Sequence, residues 1–278
     1  MHLCRFNGAR VGLVDNGRVH DVSSLIDMSA PEPILAAIKA GRSFSAAELK
    51  RVPDYAVSDV ALLSPVRAPR KILAAPDNYR AHAAEMLADE GASFGRVPTP
   101  LDQAGLFLKA VSSLVGPSHG IVRRFPSRRT DYEVELVAII GTEGSNVPRE
   151  RALGLVSGYA IGLDITVRGP EDRSFRKSLD TYTVVGPWTT VAAKIPDPQA
   201  LSMSLKLNGE LKQQTRLDDM VTDVAGLIAY ASSFATLLPG DMIFTGTPSG
   251  VGPIRGGDVI TVEIDAIGQM QVAVRDHS

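Results

Sequence analysis

Residues 131–141 read Asp-Tyr-Glu-Val-Glu-Leu-Val-Ala-Ile-Ile-Gly, an apolar run that begins with three alternating acids. Its hydrophobic residues predict a largely buried β-strand over 133–140. Side chains alternate between the faces of a strand, so we expect Glu133 and Glu135 to point the same way. Two adjacent buried carboxylates repel one another and lose hydration, which a cation offsets. A hard divalent ion such as Mg²⁺, Ca²⁺ or Mn²⁺ suits oxygen ligands best, whereas the alternative is a solvated strand edge with two ordinary glutamates.

A third acid, Asp164, follows the small-residue segment 156–163, which reads Val-Ser-Gly-Tyr-Ala-Ile-Gly-Leu. Glycines in a strand permit close approach of the neighbouring backbone. An aspartate directly after such a strand is well placed to complete a three-carboxylate site, although a turn or helix cap is its more common use. Three carboxylates would leave about three positions of an octahedral Mg²⁺ site for water and substrate.

The composition is that of an ordinary globular protein and excludes several classes. The 278 residues are 44% hydrophobic and 22% charged, and the net charge of −2 gives no electrostatic reason to expect nucleic acid or an anionic membrane as a partner. The single cysteine, Cys4, provides neither a disulfide framework nor a thiolate metal site. No apolar stretch approaches the length of a membrane span, and the first residues lack the layout of a signal peptide. We therefore expect a cytoplasmic protein.

The proline-flanked segment 65–69 predicts a boundary between a small N-terminal module of strands and helices, residues 1–66, and a larger domain, residues 67–278. Helices are predicted at 33–41, at 45–51 with a serine cap, at 78–90 with Asn78 as the cap, and at 221–237. Strands are predicted in the larger domain at 71–75, 106–109, 133–140, 160–165, 203–207, 242–245, 259–264 and 270–274. Strands outnumber helices and do not alternate with them, which indicates an α+β fold with a largely β core.

Eight segments, in order and in register from about residue 70 onward, resemble the fumarylacetoacetate hydrolase superfamily. They are residues 77–85 (DNYRAHAAE), 106–109 (LFLK), 131–136 (DYEVEL), 164–168 (DITVR), 177–180 (KSLD), 186–188 (GPW), 208–209 (NG) and 239–252 (PGDMIFTGTPSGVG). The resemblance implies that residues 67–278 are a catalytic domain with a mixed β-roll fold, usually dimeric. It also implies Glu133, Glu135 and Asp164 as ligands of Mg²⁺ or Mn²⁺.

His82 and Glu85 stand three residues apart in a predicted helix, so they share a face and can form a hydrogen bond. A carboxylate behind an imidazole fixes its tautomer and raises its basicity, although an exposed pair with no function is the alternative. The resemblance implies that this pair activates water on a segment that closes over the site. Lys177 would otherwise be a solvated charge; by resemblance it faces the metal and stabilises an enolate oxygen.

Further residues are predicted to bind the substrate. By resemblance, Arg168 is placed to grip a substrate carboxylate and Lys109 lies near the substrate. The glycine-rich segment 245–252 lacks the Gly-Lys-Ser/Thr ending of a phosphate loop, so we interpret its backbone N–H groups and Thr247 as holders of a carboxylate or oxyanion. The complete set of predicted substrate-binding residues is Arg168, Lys109, Thr247, Tyr79 and Glu171.

Three departures from the superfamily pattern affect the far end of the substrate. Arg168 is followed by Gly169-Pro170-Glu171, where Arg-Asp-x-Gln is common. Arg176 replaces the usual glycine before the site lysine, and residues 76–79 read Pro-Asp-Asn-Tyr where Gly-Leu-Asn-Tyr is usual. A carboxylate at Glu171 predicts that a neutral acyl tail is preferred over a second carboxylate.

The segment 88–100 combines two glycines with two prolines, so we expect it to form a mobile lid over the site.

The residues and the resemblance together predict a Mg²⁺- or Mn²⁺-dependent hydrolase that cleaves a C–C bond of a small 2-oxo or β-diketo acid such as an acylpyruvate. Water activated by His82 and Glu85 would attack the remote carbonyl. One alternative is decarboxylation or isomerisation of a hydroxymuconate-type diacid in the degradation of aromatic compounds. Another is a metal-stabilised binding module without turnover, which the combination of His82, Glu85 and Lys177 disfavours. The predicted partners are a small 2-oxo acid and a second copy of the chain in a homodimer.

Overall fold

The structure, a computed structural model, describes residues 1–277. The α-helices are α1 (Pro33–Lys39), α2 (Ala46–Leu49), α3 (Arg80–Ala88), α4 (Glu90–Ser93), α5 (Leu101–Ala104), α6 (Arg149–Ala152), α7 (Arg173–Arg176) and α8 (Val224–Phe234). The strands are β1 (His2–Phe6), β2 (Arg10–Asp15), β3 (Arg18–Asp21), β4 (Asp54–Ala56), β5 (Leu62–Leu63), β6 (Ile72–Ala74), β7 (Phe107–Lys109), β8 (Leu114–Val115), β9 (Ile121–Arg123), β10 (Thr130–Tyr132), β11 (Val134–Ile140), β12 (Val156–Asp164), β13 (Thr166–Val167), β14 (Thr183–Val191), β15 (Ser202–Leu207), β16 (Glu210–Arg216), β17 (Met242–Phe244), β18 (Gly252–Pro253), β19 (Val259–Ile264) and β20 (Gly268–Asp276).

Three sheets organise these strands. The largest has 12 strands in the order β4-β3-β2-β1-β14-β12-β11-β17-β6-β7, with β5 beside β1 and β8 beside β14. A five-stranded sheet has the order β16-β15-β19-β20-β9, and a three-stranded sheet has the order β13-β10-β18. Strands predominate, and helices do not alternate with them. The predicted α+β fold class is therefore confirmed.

The antiparallel pair β11 and β12 lies in the middle of the largest sheet, and every residue of both strands is buried. Leu136 and Ala138 pack into the larger hydrophobic core, whereas Val137 and Ile139 pack into a second core. Side chains alternate in this way along a strand covered on both faces. Glu135 shares its face of the strand with Val137 and Ile139, so its carboxylate lies at one end of an apolar wall.

The N-terminal residues continue the largest sheet, because β1 pairs with β14 through His2 opposite Thr190. In α2 the predicted serine cap is confirmed. The Ser45 hydroxyl accepts a hydrogen bond from the backbone N–H of Glu48, whose carboxylate accepts one from the backbone N–H of Ser45. The division between residues 1–66 and 67–278 stays a prediction, and position 278 lies outside the described residues.

Two long strands were absent from the sequence predictions. β14 contains Gly186-Pro187, which in a sequence indicates a turn rather than a central strand. β16 reads Glu-Leu-Lys-Gln-Gln-Thr-Arg and lacks an apolar face, yet it pairs along its length with β15. Both strands form because they pair with neighbouring strands in the folded chain, and local sequence propensity does not predict either of them.

The helix ends also differ from prediction. Asn78 does not cap α3, which begins after Tyr79; its side-chain amide instead donates to the backbone carbonyls of Thr222 and Thr245, at 2.8 Å each. α8 is shorter than predicted, because Asp223 caps it through the N–H of Gly226. No helix within residues 1–277 combines the length and the apolar character needed to cross a bilayer.

Candidate active site

Three buried carboxylates meet where β11 and β12 pair. Glu133 lies between β10 and β11, Glu135 is on β11, and Asp164 is the last residue of β12. The backbone N–H of Asp164 donates to the carbonyl of Glu133 at 2.9 Å, which fixes the two segments together. One carboxylate oxygen from each acid lies within 4.8 Å of the others. The structure thus brings the three predicted metal ligands together in a buried cluster and not on a solvated strand edge.

Lys177 lies against two of these acids. Its ammonium donates to Glu133 and to Asp164, both at 2.6 Å, and to the Thr166 hydroxyl at 2.7 Å. Burial alone would lower the pKa of Lys177, but Asp164 and Glu133 outweigh it and raise the pKa above its ordinary value. The side chain is therefore a fixed positive charge inside the site.

Arg168 lines the site, but its guanidinium is already engaged. Nε donates to Asp131 and Nη2 donates to Glu133, both at 2.9 Å. Burial opposes ionisation of Glu133, but Lys177 and Arg168 outweigh it and hold the pKa of Glu133 below its ordinary value. Arg168 therefore positions a carboxylate of the protein, a role that the sequence reading did not assign to it.

Glu135 is the least compensated acid of the cluster. Burial, reinforced by Asp164 and Glu133, raises the pKa of Glu135 well above its ordinary value. Within residues 1–277, its hydrogen bond from the backbone N–H of Gly246, at 2.6 Å, is the one polar contact of this carboxylate, and no basic side chain pairs with it. A buried acid of this kind, with two others within ligand distance, fits a divalent cation held by oxygen atoms.

The predicted histidine and glutamate pair forms on α3. Nδ1 of His82 lies 3.0 Å from a carboxylate oxygen of Glu85, and the other oxygen of Glu85 accepts from the N–H of Gly250 at 2.8 Å. His82 is buried and lines the same cavity as the three acids. Because Nδ1 is engaged by Glu85, Nε2 is the ring nitrogen available for proton transfer.

The glycine-rich loop binds carboxylates of the protein itself. The N–H of Gly246 holds Glu135 and the N–H of Gly250 holds Glu85, so these amides are not free for a substrate oxyanion. Gly250 has φ +97°, and a Cβ there would lie 2.0 Å from the carbonyl oxygen of Lys212, so only glycine fits. Thr247 is buried, accepts a hydrogen bond from the Gln213 amide at 2.9 Å, and lines the cavity.

The acids and His82 line one cavity. Its lining residues are Ala75, Pro76, Asp77, His82, Met86, Ala92, Ser93, Arg96, Val97, Pro98, Phe107, Glu133, Glu135, Asp164, Arg168, Arg173, Arg176, Lys177 and Thr247. The sequence reading did not identify three of the four arginines, Arg96, Arg173 and Arg176. The one available signal was Arg176 in place of the superfamily's glycine.

Three predicted substrate-binding residues do not line the cavity. The ammonium of Lys109 is 0% exposed and is bound by Asp164 and by the backbone carbonyls of Lys177 and Tyr182. Tyr79 packs in the larger core, and its hydroxyl has no hydrogen-bond partner within residues 1–277. Glu171 is held outside the cavity, because Arg128 donates to both of its carboxylate oxygens at 2.9 and 2.7 Å. The expected preference for a neutral tail therefore loses its structural basis.

The fold and the site together define a β-roll protein with an acidic centre. The sequence model of the Fumarylacetoacetate (FAA) hydrolase C-terminal family matches residues 71–275, which is more than half of the chain. The chain belongs to this family, and the resemblance inferred from the eight segments is confirmed.

Similar proteins cover the whole chain. Maleylpyruvate hydrolase of Aquipseudomonas alcaligenes is 45% identical over 285 residues, covering 99% of both chains. The crystal structure of maleylpyruvate hydrolase from Sphingobium sp. SYK-6 in complex with manganese(II) ion and pyruvate is 37% identical, covers 100% of both chains and has a TM-score of 0.85. That of 2-hydroxyhepta-2,4-diene-1,7-dioate isomerase from Mycobacterium marinum is 27% identical, covers 100% of this chain and 99% of that one, and has a TM-score of 0.76. The predicted fold is that of these neighbours.

Proposed function

We propose that this chain is a divalent-metal-dependent hydrolase of acylpyruvates, which are 2,4-dioxo acids. It cleaves the C–C bond between the pyruvate unit and the acyl carbonyl and releases pyruvate and a carboxylic acid. The observation that carries the proposal is that His82, held by Glu85, lines the same cavity as the three-carboxylate cluster. The two relatives described as maleylpyruvate hydrolases support it.

The proposed ligands of the metal are Glu133, Glu135 and Asp164. Their hard oxygen atoms suit Mg²⁺ or Mn²⁺, and the manganese(II) ion in the Sphingobium relative supports the second. A divalent cation bound there supplies Lewis acidity to the oxygen atoms of a 2-oxo acid.

His82 and Glu85 act together to remove a proton from the attacking water. Nε2 of His82 accepts it while Glu85 stabilises the imidazolium through Nδ1, and Gly250 keeps Glu85 in place. The hydroxide adds to the acyl carbonyl, and the C–C bond then breaks with its electron pair passing to the pyruvate enolate. The ammonium of Lys177 stabilises the enolate oxygen, and protonation of the enolate carbon completes the balance of substrate and water.

A second candidate function uses the same site for a different reaction. The solved 2-hydroxyhepta-2,4-diene-1,7-dioate isomerase from Mycobacterium marinum supports isomerisation. The sequence alternative also includes decarboxylation of a hydroxymuconate-type diacid in aromatic degradation. Neither reaction needs an attacking water. Hydrolysis is preferred because the two maleylpyruvate hydrolases are more similar to this chain, at 45% and 37% identity, than the isomerase is, at 27%.

We also infer a symmetric homodimer in the cytoplasm. The inference rests on the family resemblance and on large apolar side chains that one chain leaves exposed, including Leu108, Val111, Phe125 and Phe175. The location rests on composition, since the one cysteine, Cys4, is buried and unpaired.

Replacing the proposed base tests the reaction. His82→Ala is expected to slow the release of pyruvate from an acylpyruvate by about 10²–10⁴-fold, because the imidazole acts on water. Metal content should stay unchanged, since chelation depends on the three carboxylates. His119→Ala, at an exposed histidine outside the cavity, is the matched control and should keep full activity. Pyruvate release that survives His82→Ala, or release of carbon dioxide in its place, would show that hydrolysis by this dyad is wrong.

A further inference from the structure

Two guanidinium groups in the cavity wall lack a carboxylate partner. Arg176, the last residue of α7, is only 3% exposed, and its Nε donates to the backbone carbonyl of Glu171 at 2.8 Å. Arg96 donates through Nη2 to that same carbonyl and to the carbonyl of Gly169, both at 2.8 Å. Two cations thus converge on one backbone oxygen, and within residues 1–277 neither forms an ion pair with an acid.

Other arginines at the site are neutralised. Arg168 is paired with Asp131 and Glu133, and Arg173 donates to Asp77 at 2.9 Å. Buried charges normally have a counter-ion, because desolvation without one is costly. Burial, together with Arg96 and Arg168, lowers the pKa of Arg176 to about 10, so the group stays charged at neutral pH. A bound anion would supply the missing compensation.

We propose that Arg176 and Arg96 bind a second carboxylate on the acyl tail of the substrate. Maleylpyruvate, the substrate named for the two relatives, is an acylpyruvate with such a second carboxylate. The inference rests on the proposed function and deepens it by naming the side chains of this chain that bind the tail. A guanidinium matches a carboxylate in a two-point hydrogen-bonded geometry that a lysine does not reproduce. Arg176 occupies the position where the superfamily commonly has glycine, so this residue determines specificity and is separate from the machinery that breaks the bond.

Arg96 adds a link between the substrate and the chain segment above it. It lies on the segment that follows α4, and its neighbours Ser93, Val97 and Pro98 also line the cavity. A carboxylate bound between Arg96 and Arg176 would join this segment to the end of α7. Recognition of the tail therefore also encloses the substrate.

The test uses stable 2-oxo acids, so that binding is read independently of turnover. Calorimetry on the Mn²⁺-loaded protein compares 2-oxoadipate with 2-oxohexanoate, which lacks the second carboxylate. The wild type should bind the diacid about 10- to 100-fold more tightly, the range expected for a charge-assisted hydrogen-bonded pair. Arg176→Gln should abolish this preference and leave the affinity for 2-oxohexanoate nearly unchanged, while Arg176→Lys should restore only part of it.

Two further variants keep the result interpretable. Arg96→Gln, at a less buried position, should also reduce the preference for the diacid if Arg176→Gln does not fold. Arg124→Gln removes the same charge at a residue paired with Asp180 outside the cavity, and should behave as wild type. Equal affinity of the wild type for both acids, or an equal loss for both acids in Arg176→Gln, would overturn the proposal.

Hydrolysis measured on the same proteins separates the two proposals. Release of pyruvate from acylpyruvates without any preference for a diacid in binding would retain the proposed function and reject the tail site. A diacid preference that Arg176→Gln removes, in a protein that hydrolyses no acylpyruvate, would retain the tail site and reject the proposed function.

Discussion

Glu135 combines a catalytic requirement with a cost in stability. Burial and the neighbouring acids raise its pKa, so the ionised form is unfavourable in the folded chain without a cation. Its folded-state pKa lies above the unfolded value, so its contribution to stability is present below about pH 4.5 and is lost as the pH rises through the raised pKa. At neutral pH, Glu135 therefore lowers the stability of the folded chain, and a bound cation offsets this loss.

Glu135→Gln should expose this conflict. The neutral isostere should raise the free energy of unfolding of the chelator-treated protein by about 0.5–2 kcal/mol at pH 7, and the gain should shrink as the pH falls. The same change should weaken Mn²⁺ binding, since an anionic ligand is lost. Urea unfolding and Mn²⁺ titration measure the two effects, with the exposed Glu143→Gln as the control. A variant less stable than wild type at pH 7 would contradict the proposed charge imbalance.

The sequence indicated the acids of the site more reliably than its cations. Glu133 and Glu135 follow from the alternation of a strand, because two carboxylates in an apolar run have few structural explanations. Arg96 and Arg176 carried no such pattern, since arginines are common on surfaces and only the fold brings these two together. The sequence placed Glu171 at the substrate because its partner, Arg128, is 43 residues away and carries no signal of the pairing.

The segment from α3 to α5 covers the cavity and is held by polar contacts at a few points. Asp89 pairs with Arg129 at 2.8 Å, Glu85 accepts from Gly250, and Arg96 donates to Gly169 and Glu171. Segments held by few contacts open at low free energy. This attachment agrees with the lid expected from the glycines and prolines of residues 88–100.

Hydrogen exchange should detect closure of this lid. When oxalate, a 2-oxo acid mimic, binds to the Mn²⁺-loaded protein, amides in residues 78–100 should exchange more slowly, because closure buries their backbone. Peptides from α8, whose apolar face packs into the core, serve as the internal control and should not change. Unchanged exchange in 78–100 at saturating oxalate would mean that α3 is a fixed part of the core.

At the scale of elements, sequence prediction worked where apolar residues are periodic. β19 has the predicted bounds, and β11 begins one residue later than expected. β14 and β16 were missed, because partners distant in sequence hold a proline-containing strand and a polar strand in place. The prediction that Asn78 caps a helix was wrong. Its buried side-chain amide instead donates to backbone carbonyls that lie 144 and 167 residues further along the chain.

The whole molecule is expected to be a homodimer in solution. The apolar side chains exposed on one chain, such as Phe125 and Phe175, are typical of a surface covered by a partner. Sedimentation at micromolar concentration should give a mass of twice the 29.6 kDa of one chain. A single species with the mass of one chain would contradict the dimer and leave the site within each chain unaffected.

The central claim is that one divalent cation in the carboxylate cluster is required for hydrolysis of an acylpyruvate. The most direct measurement titrates Mn²⁺ into chelator-stripped protein of verified metal content while following pyruvate release. The rate should rise from near zero, reach a plateau at one Mn²⁺ per chain, and remain near zero in Asp164→Asn. Full activity in the metal-free protein would contradict the claim.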